Sequence, residues 1–143
     1  MASSLKNLSS YNKDEMPDAT GFRVGVVVAE WNHEITGKLL AGTVDTLLKN
    51  KVKEQDIFIH YVPGTFELTL GAQLIAENIA VDAIIVLGCV IQGETRHFDF
   101  ICQGVTQGIT ELNIKYNIPV IFGVLTTGNL RQAQERAGGK HGN

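Results

Sequence analysis

A chain of 143 residues, 44% of them hydrophobic, can bury one real core but not two ordinary ones, and is too apolar to be a disordered body. Its formal net charge of −3 offers no basic footprint for nucleic acid. Two cysteines, Cys89 and Cys102, make neither a disulfide framework nor a CxxC metal pair, no apolar run reaches the length of a membrane span, and the opening residues do not read as a signal-peptide core. A cytoplasmic protein with reduced thiols and no membrane segment is the expectation.

Residues 1–20, rich in Ser, Asn, Lys and Asp and broken by Pro17, read as an N-terminal arm. From Gly21 the pattern changes, and residues 21–143 read as a single domain without internal repeats. Phe22–Ala29 is an apolar run that predicts a strand buried on both faces. Ile35, Leu39, Leu40, Val44, Leu47 and Leu48 follow at helical spacing. Asp56–Val62 predicts a second strand, stopped by the turn signal Pro63-Gly64, and Thr65–Asn78 a helix with Leu70, Leu74 and Ile75 apolar. Asp82–Ile91 predicts the third strand, and His97 to about Tyr116 the third helix, with Phe98, Ile101, Val105 and Leu112 on one face. Pro119–Thr126 predicts the fourth strand, and a short helix from about Leu130 should stop at Gly138-Gly139.

Strands alternating with helices of this length mean βαβ units and a parallel sheet. The expected fold is therefore a flavodoxin-like, three-layer α/β/α sandwich around a four-stranded parallel sheet. No long closing helix follows the Gly-rich segment near Asn143, so part of one sheet face should be poorly covered.

In a parallel sheet every strand-to-helix loop leaves on the same edge, where open α/β sheets place their ligands. Four polar loops should converge there: 30–33, 63–67, 88–100 and 126–129. Trp31, the only tryptophan, either packs at the strand end or offers a flat face to a planar ring. Glu67 either meets the dipole of a helix start or accepts hydrogen bonds from a polyhydroxy chain. His97 caps its helix locally or transfers protons, for which its ordinary pKa of about 6.5 is suited.

Arg136 suits a helix C-terminus as a simple cation, or binds a phosphate with its planar fork; Arg96, beside the predicted third helix start, competes for the second role. His33, His60 and His141 make no metal pattern with His97, and His60 reads as a structural strand residue. There is no Walker A, GxGxxG or GxSxG motif, and Cys89 lies in an apolar strand without a paired base. The residues by themselves thus point to a small-molecule site with an aromatic platform, an anion pocket and a histidine.

Several motifs together carry a closer resemblance. They are Trp31-Asn32 after the first strand, VPGTFE at 62–67, LGCVIQGETRHFDF at 87–100, PVIFGVLTT at 119–127 and QAQERAGGKHGN at 132–143. In order and spacing, from Phe22 onward, the chain resembles the 6,7-dimethyl-8-ribityllumazine synthase family. The resemblance implies a transferase of riboflavin biosynthesis. It would condense 5-amino-6-(D-ribitylamino)uracil with 3,4-dihydroxy-2-butanone 4-phosphate to give 6,7-dimethyl-8-ribityllumazine, without a cofactor or metal. It implies that Trp31 stacks on the pyrimidine and that Thr65, Phe66 and Glu67 meet the ribityl chain and ring. Cys89, Val90 and Ile91 would hold the pyrimidine edge through backbone groups. Glu94 and Thr95 would give amides to the phosphate, with Arg136 as its charged partner. His97 would move protons, and Phe122 would reach the site of a neighbouring subunit.

The same resemblance implies small-molecule substrates, riboflavin synthase as functional partner, and assembly as pentamers, in many members as icosahedral shells of twelve pentamers. No insertion is evident at AGGKHGN, so the shell is the expected form, with the arm adding a strand to a neighbour's sheet. It further implies a ligand-side lysine and a long helix beyond the position of Asn143, hence a longer polypeptide than these residues. Two rival readings are a non-catalytic flavin-binding module and a shell protein without activity.

Overall fold

A computed structural model describes residue 12 and residues 16–143, so most of the expected arm lies outside the described residues. Four strands, β1 (Val24–Ala29), β2 (Ile57–Val62), β3 (Ala83–Ile91) and β4 (Val120–Thr127), form one sheet in the order β2-β1-β3-β4 with every pairing parallel. Between and after them run the helices α1 (His33–Lys49), α2 (Leu68–Asn78), α3 (His97–Tyr116) and α4 (Leu130–Glu135).

All six residues of β1 are buried, and the two-residue period of the strand explains why its sequence does not alternate. Val24, Val26 and Val28 pack with Ile35 and Leu39 of α1 and with Ala133 of α4. Val27 and Ala29 pack instead with Leu68, Ala72 and Ile75 of α2 and with Val105 and Ile109 of α3. One helix pair thus covers each face, giving the expected three layers.

Two local expectations shift. Thr65–Glu67 forms a tight 3-10 turn instead of the first turn of the second helix, which begins at Leu68. The buried face of α2 is then Leu68, Gly71, Ala72 and Ile75, while Leu70 and Leu74 are exposed, at 58% and 50%. His60, expected as a structural strand residue, is exposed on β2, an edge of the sheet.

The thin coverage of one face is also present. With α4 only six residues long, an apolar groove of about 420 Å³ opens between α1 and the β3–β4 half of the sheet. Leu39, Leu47, Ile85, Leu87, Ile121 and Leu125 line it.

The strands do not all end together. The β1–β3 pairing stops at Val28↔Leu87, whereas β3 continues beside β4 to Ile91↔Thr127. The last four residues of β3 therefore have a strand partner on one side only, which leaves a backbone edge open at the carboxyl end of the sheet.

Candidate functional site

A cleft of about 280 Å³ lies at the carboxyl ends of the strands. Trp31 and Asn32 from the loop after β1 line it, with Gly64, Thr65 and Phe66 from the turn after β2. Cys89, Val90 and Ile91 from the end of β3, and His97 and Ile101 from α3, complete it. Three of the four expected loops converge here, while the loop after β4 contributes no lining residue.

The Trp31 loop is held by an extension of the β1–β2 ladder. Glu30 N–H donates to the Val62 carbonyl at 2.9 Å, and Trp31 N–H to the Pro63 carbonyl at 3.1 Å. The tryptophan itself is 73% exposed, which removes a packing role for it inside this chain and leaves its face available. The next residue, Asn32, takes a left-handed conformation (φ 61°, ψ 41°) that asparagine tolerates better than most residues. Its carbonyl accepts the Ile35 and Thr36 N–H groups and so starts α1. Its side-chain Nδ2 crosses to β3 and donates to the Cys89 carbonyl at 2.8 Å.

Thr65 is buried, with its Oγ1 3.5 Å from the same Cys89 carbonyl. Gly88 makes this approach possible, because a Cβ there would stand 2.8 Å from Thr65 Oγ1 and 2.9 Å from Leu68 Cδ1. Phe66, beside it, is 57% exposed and rests its ring edge on Gly104 of α3. Cys89 turns its side chain into the core under α1 and α4, and burial pushes its thiol up to about 11. The thiol therefore stays protonated near neutrality and is no nucleophile; only the backbone of Cys89 is offered to the cleft.

His97 opens α3, its N–H near Thr95 Oγ1 at 3.4 Å and its side chain exposed at the cleft wall. An exposed imidazole beside an open aromatic face and a strand edge can exchange protons with a planar substrate lying between them.

The remaining sequence-derived candidates lie elsewhere. Glu67 is half-buried, its carboxylate folded back towards Gly64, and Glu94 and Thr95 are exposed on the turn before α3; none of the three lines the cleft. Arg96 is engaged by Asp99 at 3.6 Å. Phe122 and Arg136 stand together in the apolar groove, and Arg136 Nη1 donates to the Gln132 carbonyl at 3.0 Å. Three cleft residues have no site role assigned from the sequence, and one of them, Gly64, is read there only as part of a turn signal. Ile101 is visible there only as part of a helix face, and Asn32 only as the asparagine that follows Trp31 in the loop after the first strand, a residue type that tolerates left-handed backbone.

Comparisons with known proteins identify the family. The family described as 6,7-dimethyl-8-ribityllumazine synthase matches residues 21–143. A protein of that name from Cytophaga hutchinsonii is 61% identical over 143 residues, covering all of this chain and 89% of its own length. Proteins of the same name from Parabacteroides distasonis and Porphyromonas gingivalis are each 55% identical with the same coverage.

Proposed function

The chain belongs to the 6,7-dimethyl-8-ribityllumazine synthase family, and we propose that the cleft between Trp31 and His97 is where it carries out that family's reaction. It condenses 5-amino-6-(D-ribitylamino)uracil with 3,4-dihydroxy-2-butanone 4-phosphate, releasing phosphate and water, in the penultimate step of riboflavin biosynthesis. The observation that carries the assignment of the site is the meeting of an open tryptophan face, a strand edge free of its β1 partner and an exposed imidazole in one cleft.

In this reading Trp31 stacks on the pyrimidine while backbone groups of Cys89, Val90 and Ile91 meet its polar edge. Thr65, Phe66 and Glu67 take the ribityl side. The substrate amine attacks the ketone carbonyl, water leaves as an imine forms, phosphate is eliminated, and ring closure expels a second water. Every one of these steps moves a proton, and in this reading the exposed His97 imidazole relays it. Holding two reactants in register supplies much of the remaining acceleration. Amides of Glu94 and Thr95 receive the phosphate, with Arg136 as its charged partner.

Phe122 and Arg136 share one groove away from this cleft, so a chain that lends Phe122 to a neighbour's site lends Arg136 with it. Each complete site is then built from two subunits, and the exposed apolar wall around Ile121 and Phe122 (44% and 40% exposed) suits burial against another copy. The proposal includes a pentamer assembled into an icosahedral shell, riboflavin synthase as functional partner, and a cytoplasmic location that two unpaired cysteines suit. It needs no cofactor or metal.

Mixing the purified protein with both substrates and following the lumazine chromophore tests the reaction. Bound flavin without product formation would instead favour a binding module. Sedimentation tests the assembly, since a purely pentameric species would remove the shell.

A further inference from the structure

We propose that Asn32 is a positioning residue for the pyrimidine pocket, acting through the carbonyl of Cys89; the inference rests on the cleft being the pyrimidine site. Backbone groups in a strand point alternately to its two neighbours. On β3 the even-numbered residues face β4: Ile84 N–H donates to the Pro119 carbonyl at its start and Gln92 N–H to the Thr127 carbonyl at its end, both at 2.8 Å. Leu87, Cys89 and Ile91 therefore face β1, and β1 has no paired residue beyond Val28↔Leu87. The Cys89 carbonyl points into the space where the next β1 residue would have stood, and the Asn32 amide fills that place at 2.8 Å.

The loop that carries Trp31 is thereby tied at its very next residue to the strand whose edge forms the pocket floor, and Thr65 Oγ1 approaches the same oxygen from the β2 loop at 3.5 Å. A single carbonyl thus holds the aromatic platform at a fixed height above the strand edge. With the Cys89 oxygen already occupied and the backbone of Val90 facing β4, the pyrimidine contact proposed for the Cys89–Ile91 segment narrows to the backbone pair of Ile91, whose C=O accepts and whose N–H donates. Asparagine meets both demands of the position, since it tolerates φ of 61° and carries a donor of the right reach.

Trp31 is the only tryptophan, so its emission reports this loop alone, and quenching by 5-amino-6-(D-ribitylamino)uracil gives the pyrimidine Kd directly. Two variants isolate the amide. Asn32→Gly keeps the left-handed backbone and deletes the donor, and Asn32→Asp keeps the shape but sets a carboxylate oxygen against a carbonyl oxygen.

Both should raise that Kd, and the KM for the same substrate, by about tenfold, consistent with the loss of one partly buried hydrogen bond. The KM for the butanone phosphate should stay within about twofold, a split that general loosening of the fold would not produce. Fluorescence anisotropy of Trp31 should fall in both. An Asn32→Asp protein that binds the pyrimidine as the wild type does would overturn the proposal, and this variant decides alone if the glycine variant fails to fold. No quenching in the wild-type protein would overturn the reading of the cleft itself, a result distinct from wild-type quenching with unaltered variants.

Discussion

The ring of Phe66 lies against the backbone of Gly104, and a Cβ on that glycine would stand 3.3 Å from Phe66 Cε2. Gly104 is in the middle of α3, where alanine is favoured over glycine by about 1 kcal/mol, and Phe66 is exposed enough to give way. Gly104→Ala should therefore leave thermal stability unchanged or raised while moving the Phe66 ring by a few tenths of an ångström, with a KM increase of about two- to fivefold for the ribitylaminouracil. Gly88→Ala should do the opposite. Its Cβ would meet Thr65 and the fully buried Leu68 below 3.0 Å, and overpacking of this kind costs about 1–3 kcal/mol. Denaturation curves of the two variants check the contrast; equal destabilisation would mean that Phe66 is held as rigidly as Leu68.

Trp31→Ala should separate binding from folding. At 73% exposure the side chain contributes little to the core, so the change in stability should stay within about 0.5 kcal/mol. A lost aromatic stack is worth about 0.5–1.5 kcal/mol, a rise in pyrimidine KM of roughly two- to twelvefold. Trp31→Phe should recover most of it. A KM unmoved by both substitutions would mean that the pyrimidine lies elsewhere.

Much of this architecture is legible in the sequence. The valine run of β1 announces burial on both faces, and alternating strands and helices then force the polar loops to one edge. What sequence reading cannot reach depends on how far one strand outruns another. The bond from Asn32 to Cys89 joins residues 57 positions apart and exists only because β3 continues where β1 has turned away. The exposure of Leu70 and Leu74 escapes the sequence because the buried face of α2 runs through Leu68, Gly71, Ala72 and Ile75, and hydrophobicity alone does not select a glycine and an alanine over two leucines. Nor does chain order show that Arg136, read as a charged partner for phosphate, shares a groove away from the cleft with Phe122, the residue expected to serve a neighbouring subunit.

His97→Ala should lower kcat by about 10²–10⁴-fold with little change in the pyrimidine Kd, since it removes a proton relay and leaves the stacking face and strand edge in place. The residual rate should remain above that of the free substrates, because the other residues still hold the reactants together. The side chain is exposed at a helix start, so the melting temperature should hardly move. Single-turnover kinetics beside ligand titration checks both halves, and near-wild-type turnover would take His97 out of the mechanism.

Cys89 gives a pH prediction whose sign comes from burial. Its thiol ionises at about 11 in the folded chain against an ordinary value of 9.0, so folding favours the protonated form. Below pH 9 both states keep the proton and stability is unaffected. As pH rises through 9 the unfolded chain loses the proton while the folded chain keeps it, the unfolded state binds fewer protons, and stability falls until the folded thiol also ionises near pH 11. A shift of this size corresponds to roughly 2–3 kcal/mol over the whole window. Cys89→Ala removes the titration and substitutes a small cavity whose cost does not depend on pH. The stability advantage of wild type over Cys89→Ala should therefore be constant from pH 7 to 8.5 and shrink steadily to pH 10.5, with lysine and tyrosine ionisation cancelling in the difference. Urea denaturation of both proteins across this range measures it. An advantage that stays flat would mean that water reaches the thiol beneath α1 and α4, and that the packing of this face of β3 is looser than its 2% exposure implies.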